Sequence, residues 1–152
     1  MNYKSILNLI GLLLAIFSFA FIPPLIVTFI YKEPLSEIFL YSFLFLISLG
    51  VLMWFISRQK GLPLNISDGF IITTMFWVVL ACAGSIPFYF FGLSFNDAIF
   101  ESVSGITTTG ATLIVGLDDL PKSLLLYRQL LQWIGGMGLI ILAVAVMPAL
   151  GI

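Results

Sequence analysis

The feature that most limits what this chain can become is a set of four long apolar stretches with few charges inside them. They run Ser5–Tyr31, about Glu37–Ser57, about Gly69–Phe91 and about Ser123–Pro148. Each exceeds the roughly 20 residues that a helix rising 1.5 Å per residue needs to cross about 30 Å of hydrocarbon. Charged residues are 9% of the chain and the hydrophobic set 61%, where a soluble domain carries roughly a quarter charged residues. Polar groups are too few to cover a water-facing surface, so lipid is the expected solvent and an all-α membrane protein the expected fold class. Pro23–Pro24 and Pro87 are expected to kink their helices or mark their outer ends.

The same composition removes several function classes. A net charge of −1 with no basic stripe gives nothing to neutralise phosphates, so no nucleic acid is expected. Cys82 stands alone in an apolar run and reads as a small core residue, without a disulfide framework or metal cluster. Lys4 and the apolar run after it resemble the start of a signal peptide. However, the uncharged run lasts about 27 residues and bulky Phe19, Phe21 and Ile22 stand where small cleavage-site residues belong. The expectation is a retained membrane helix.

With the amino terminus taken as cytoplasmic, Lys4, Arg58, Lys60 and Asp68 lie inside. Lys32, Glu33, Glu37, Asp97, Glu101, Asp118, Asp119, Lys122 and Arg128 then lie outside or near the outer surface. The basic residues split evenly, so orientation rests on the short connection SRQKGLPLNISD, which concentrates Arg58 and Lys60. Six of the seven acids gather outside, as suits the mouth of a cation pathway.

Between the third and fourth stretches lies SFNDAIFESVSGITTTGATLIVGL, Ser94 to Leu117. It is too polar to face lipid and too apolar for a solvated loop. Ser94 or Asn96 can cap a helix with Asp97 in its first turn, and Gly105 is a natural terminator. Thr107, Thr108, Thr109, Gly110, Ala111 and Thr112 have little helical propensity. A short helix and then a Thr/Gly strand at membrane depth suggests a re-entrant loop, which is stable only when buried in protein or lining a wet cavity. In such a loop the helix points its free carbonyls and negative dipole end at the membrane centre. The strand can then turn backbone carbonyls inward to replace the water shell of a monovalent cation. Gly110 permits angles closed to other residues, and threonine hydroxyls either add ligands or brace the loop. A simple turn between two helices fits the pattern as well, so both readings stay open at this point.

Gly135, Gly136 and Gly138 read as small residues that let the fourth span pack closely on a neighbouring backbone. Arg128 is costly inside hydrocarbon: either the fourth span starts just after it and places it at the outer interface, or it faces protein and water, and the interface is favoured, with Asp118, Asp119 or Glu101 as partners. Glu101 is expected to brace the loop through hydrogen bonds or an ion pair. Trp54, Trp77 and Trp133 fit either interfacial anchoring or ordinary packing.

The stretch FESVSGITTTGAT with LPKSLLLYRQLLQWIGGMGLIILAVAVMP closely resembles the first pore repeat of TrkH-type potassium uptake proteins, in the Trk/Ktr/HKT superfamily. The two preceding spans resemble the extra helix pair that TrkH-type members carry ahead of their repeats, and the likeness is most specific from Phe100 to Pro148. It implies a leading helix pair over 1–60 and one pore repeat over 61–152. That repeat would comprise a membrane helix at about 69–91, a pore helix at about 95–105, a filter strand at 107–112 and a membrane helix at about 123–148. The resemblance further implies potassium held at Thr108, Thr109 and Gly110, with Gly110 as the filter glycine. Members with serine there tend to pass sodium, so glycine implies potassium preference. Glu101, Gly105, Asp118, Asp119 and Arg128 become loop-supporting or pore-mouth residues.

By the same resemblance the partners are the lipid bilayer, the remaining pore repeats of the same chain, a second copy in a homodimer and a cytoplasmic nucleotide-binding regulatory subunit. The location is the plasma membrane of a bacterial or archaeal cell. No cofactor is expected; the transported ion is potassium. One loop supplies a quarter of a coordination cage, so these residues are expected to be a fragment of a longer pore subunit rather than one of four assembling copies. The rivals are a non-transporting membrane scaffold, a non-functional truncation, and an enzyme. The enzyme reading is disfavoured: no histidine is present to activate Thr107, Thr108 or Thr109, so Asp97 and Glu101 would have to act as bases. GITTTGAT also lacks the lysine of a phosphate-binding loop.

Overall fold

The computed structural model describes residues 3–57 and 66–146, the side chains of 66–70 and 139–146 excepted. Arg58 and Lys60, the side chain of Asp68 and the carboxyl end of the fourth stretch at Pro148 lie outside the described residues. Long apolar runs become helices because lipid offers no partner for backbone N–H and C=O groups, and a helix satisfies them within the segment. The first run forms α1 (Tyr3–Ser18), a tight 3-10 turn over Phe19–Phe21, and α2 (Ile22–Tyr31). Pro23 and Pro24 stand in the first turn of α2, where a missing N–H costs nothing. α3 is Ser36–Ile56. The third run divides into α4 (Ile66–Gly84) and α5 (Ile86–Phe91), parted at Ser85 just before Pro87. α6 (Phe95–Ile106) and α7 (Lys122–Val146) complete the described chain.

Three segments are long and apolar enough to cross a membrane among the described residues: Tyr3–Tyr31, Ser36–Ile56 and Ile71–Phe91. The chain is thus a multi-pass, all-helical membrane protein. α1 lies along α3 as an antiparallel pair, and glycines set how near they come. A Cβ on Gly50 would stand 2.6 Å from the Ala15 nitrogen, and one on Gly11 would stand 2.8 Å from the Gly50 carbonyl oxygen. In lipid, where apolar burial alone gives little drive for association, such close backbone packing is what holds helices together.

One buried aromatic residue packs this pair against the rest. Tyr127 of α7 is fully buried. Its ring stacks on Phe21 at 5.4 Å, tilts against Phe88 at 5.3 Å and meets Phe39 edge-on at 5.7 Å. Its hydroxyl donates to the Gly84 carbonyl at 2.8 Å, at the interruption between α4 and α5. Cys82, expected in the core, is exposed instead, because the α4 face that carries it turns away from the packed side. Trp133 is likewise exposed, while Trp77 meets Phe76 edge-on at 5.9 Å.

Replacing Gly50 with valine forces α1 and α3 apart. The expected cost is about 1–3 kcal/mol, read as a lower midpoint of thermal unfolding in detergent. An unchanged midpoint would contradict the close crossing.

Candidate functional site

The site grows from a short helix wedged between two long ones. Ser94 starts α6: its hydroxyl accepts from the Asp97 N–H at 3.2 Å and donates to the Asp97 carboxylate at 2.8 Å. Asn96 lies inside the helix and is not the cap. α6 then descends beside α7, and the glycines at their contact explain how three backbones share so little space. A Cβ on Gly135 would fall 1.8 Å from the Ile106 carbonyl oxygen, one on Gly84 would lie 2.5 Å from Ser102 Oγ, and one on Gly105 would lie 3.0 Å from Leu131 Cβ. Of the glycine run in the fourth span, Gly135 alone makes a backbone approach; Gly136 and Gly138 would meet only ordinary side-chain contacts.

Gly105 therefore has a different role from the terminator expected of it. It sits within α6, giving room to Leu131, and the helix runs one residue further to Ile106. The chain turns instead at Thr108, which takes a left-handed φ of 58°. That conformation is unusual for a β-branched residue, and it is held by the Thr108 N–H donating to the Gly105 carbonyl at 2.9 Å. Three of the last carbonyls of α6, expected free, those of Val103, Ser104 and Gly105, are taken by the turn. Val103 accepts from the Thr107 N–H at 2.8 Å, and Ser104 from the N–H groups of Thr109 and Gly110 at 3.0 and 3.3 Å. The helix keeps its negative dipole end, but these oxygens hold the loop.

From Thr108 the chain climbs back antiparallel to α6, fixed at two levels. Ser104 Oγ donates to the Ala111 carbonyl at 2.6 Å. Higher up, Glu101 Oε1 accepts from Thr112 Oγ1 at 2.5 Å and from the Leu113 N–H at 2.7 Å. The other oxygen, Oε2, accepts from Arg128 Nε at 3.1 Å. Helix down, turn, strand up: the segment leaves and returns on the same side. Ile106, near its lowest point, faces Gly135, about 20 Å along α7 from Lys122 at 1.5 Å per residue.

Arg128 faces protein. It is buried, and its partner is Glu101, whose side chain is 0% exposed. The 3-10 turn Leu117–Asp119 leaves Asp118 and Asp119 exposed at the top of the strand. Thr107, Thr108, Thr109, Gly110 and Ala111 are exposed and form one open edge. Two hydroxyls in the strand region act as braces: Thr107 Oγ1 donates to the Val103 carbonyl at 2.8 Å, and Thr112 Oγ1 binds Glu101. Gly110 has φ of 75° with nothing within 4 Å of where a Cβ would stand. Its constraint is conformational rather than one of space.

Chemically, an open backbone edge with neutral oxygens suits weak, reversible coordination of a monovalent cation. Among the described residues, the carbonyls of Thr108, Thr109 and Gly110 accept no hydrogen bond, whereas that of Ala111 is engaged by Ser104. Sequence reasoning did not find Ser104, Tyr127 or Glu33. Glu33 reaches across from the turn after α2 to the head of α7, and no local pattern marks that contact.

This arrangement, a short helix that turns back as an extended segment between the third apolar span and the long helix α7, is of a kind that membrane transport proteins use. A family model described as TrkH, cation transport protein, matches residues 35–152. The chain belongs to the TrkH family of cation transport proteins. It is 48% identical over its whole length to the Trk system potassium uptake protein TrkH of Vibrio parahaemolyticus, covering 32% of that protein. With TrkH of Escherichia coli strain K12 it shares 44% identity, again covering 32%. The crystal structure of the potassium transporter TrkH from Vibrio parahaemolyticus superposes with a TM-score of 0.93, over 100% of this chain and 33% of that one. The chain therefore spans about a third of the length of the relatives it matches.

The buried pair makes a measurable claim. Arg128→Gln leaves Glu101 without its cationic partner and should cost about 3–5 kcal/mol. Adding Glu101→Gln should recover part of that loss. Thermal unfolding in detergent reads both, and a double variant as unstable as the two single losses added together would show that the side chains do not act as a pair.

Proposed function

We propose that this chain is the first part of a potassium-conducting pore subunit, contributing one of the strands that line the ion path. The observation that carries the reading is the open edge Thr107–Ala111, held from behind by Glu101 and Ser104, with Gly110 in a left-handed conformation. In this reading potassium meets the carbonyls of Thr108, Thr109 and Gly110. The exposed pair Asp118 and Asp119 sits at the pathway's mouth, where negative charge raises the local cation concentration. Glu101, Gly105 and Arg128 support the loop.

One strand offers oxygens on one side only, so selective coordination needs further strands around the same axis. Three more repeats in the same polypeptide would supply them, in keeping with relatives about three times as long. The names of those relatives, Trk system potassium uptake proteins, support potassium as the ion. A homodimer, a cytoplasmic nucleotide-binding regulatory subunit and a bacterial or archaeal plasma membrane complete the proposal. The chain is read as a transporter component rather than an enzyme.

In the full-length protein, Gly110→Asp should abolish potassium uptake while membrane expression stays normal. Gly110→Ser should relax discrimination against sodium. Uptake that survives Gly110→Asp would remove Gly110 from the ion path.

A further inference from the structure

We infer that the leading helix pair is a positioning device for the ion-facing strand, and that Glu33 is its point of attachment; the inference rests on the reading of Thr107–Thr112 as ion path. The head of α7 has no side-chain cap of its own. The residue in the cap position is Pro121, whose carbonyl accepts from the N–H groups of Leu124 and Leu125 at 3.0 Å each and whose ring can accept nothing. The exposed donors of that first turn are taken instead by a residue about ninety positions away. Glu33 Oε1 accepts from the Lys122 N–H at 2.6 Å, and Oε2 accepts from the Ser123 N–H at 3.1 Å and from the Ser123 hydroxyl. A carboxylate there also meets the positive end of the α7 dipole.

Glu33 is itself held firmly. Lys32 takes a left-handed φ of 54°, and the Glu33 N–H donates to the Thr28 carbonyl at 2.9 Å, closing the end of α2. From the tether to the strand every link is a helix or a hydrogen bond. Lys122 lies six residues before Arg128, about 9 Å along one rigid helix. Arg128 grips Glu101, and Glu101 grips Thr112 and Leu113. Tyr127, lodged between Phe21 and Phe39 of the leading segments, keeps α7 against them. The leading pair therefore does more than shield the pore helices from lipid: it sets how far α7 sits along its own axis. An axial shift of α7 would carry Arg128 and Glu101 with it and change the height of the strand's carbonyls.

The test uses the full-length polypeptide in proteoliposomes, with potassium and sodium uptake measured in competition. Glu33→Ala should change the potassium-to-sodium ratio by about threefold or more, within the range that residues remote from a site exert on it. The decisive variant adds Pro121→Asp, which gives α7 a local cap without restoring the tether. Thermal stability should then recover while the altered ratio persists. Recovery of both would overturn the inference and leave Glu33 as an ordinary cap. Gly110→Ser serves as the reference. If it shifts the ratio and Glu33→Ala does not, the positioning role is wrong and the ion path stands. If neither shifts it, the ion-path reading fails and the inference falls with it. Should Glu33→Ala not accumulate in the membrane, Glu33→Gln, which keeps one accepting oxygen, is read in the same way.

Discussion

Everything at the site depends on one carboxylate. Glu101 is buried with its side chain 0% exposed, and an unpaired charge there would not be tolerated. Its oxygens are filled by Arg128 from one side and by Thr112 and Leu113 from the other. The strand thus takes its height from a group on α6, and α6 takes its charge balance from α7. Neither the helix nor the strand would hold this conformation alone. The strand has no ladder partner, and α6 at 12 residues is at the margin of what stands unsupported.

That dependence explains why the close approaches fall where they do. For Arg128 to reach Glu101, α7 must lie almost on the backbone of α6, and Gly135 removes the side chain that would strike the Ile106 carbonyl. Gly84 does the same for Ser102 on the α4 side, while Gly105 clears Leu131. Three glycines on three helices therefore serve one geometry. The Tyr127 cluster then fixes this trio to the leading pair with ring contacts, each worth about 0.5–1.5 kcal/mol beyond burial, plus one hydroxyl bond to the Gly84 carbonyl.

The parts legible in the sequence are those whose physics is local. An apolar run of membrane length needs no neighbour to become a helix, so the helices of the first three stretches could be placed within a few residues. Ser94 could be named as one of two candidate caps because its partner, Asp97, is three residues away. The Thr/Gly stretch could be set apart because it suits neither lipid nor a helix. Arg128 was harder: sequence reasoning named Glu101 among three partners but favoured an interfacial position, since burial cannot be read from one charge in an apolar run. Gly105 was misjudged because its room is needed by Leu131, 26 positions away. Glu33 and Tyr127 were invisible for the same reason, as their partners come from elements far along the chain. Helix existence is a property of a segment; helix spacing is a property of pairs.

Where a permeant ion rests decides whether this edge lines the ion path. Crystals of the full-length protein grown with an anomalously scattering potassium substitute such as rubidium or thallium would mark the position without reference to uptake. An anomalous peak is expected within coordination distance of the Thr108, Thr109 and Gly110 carbonyls, with Glu101 still bonded to Thr112 behind them. A peak confined to other parts of the protein, with this edge facing lipid or solvent, would contradict it.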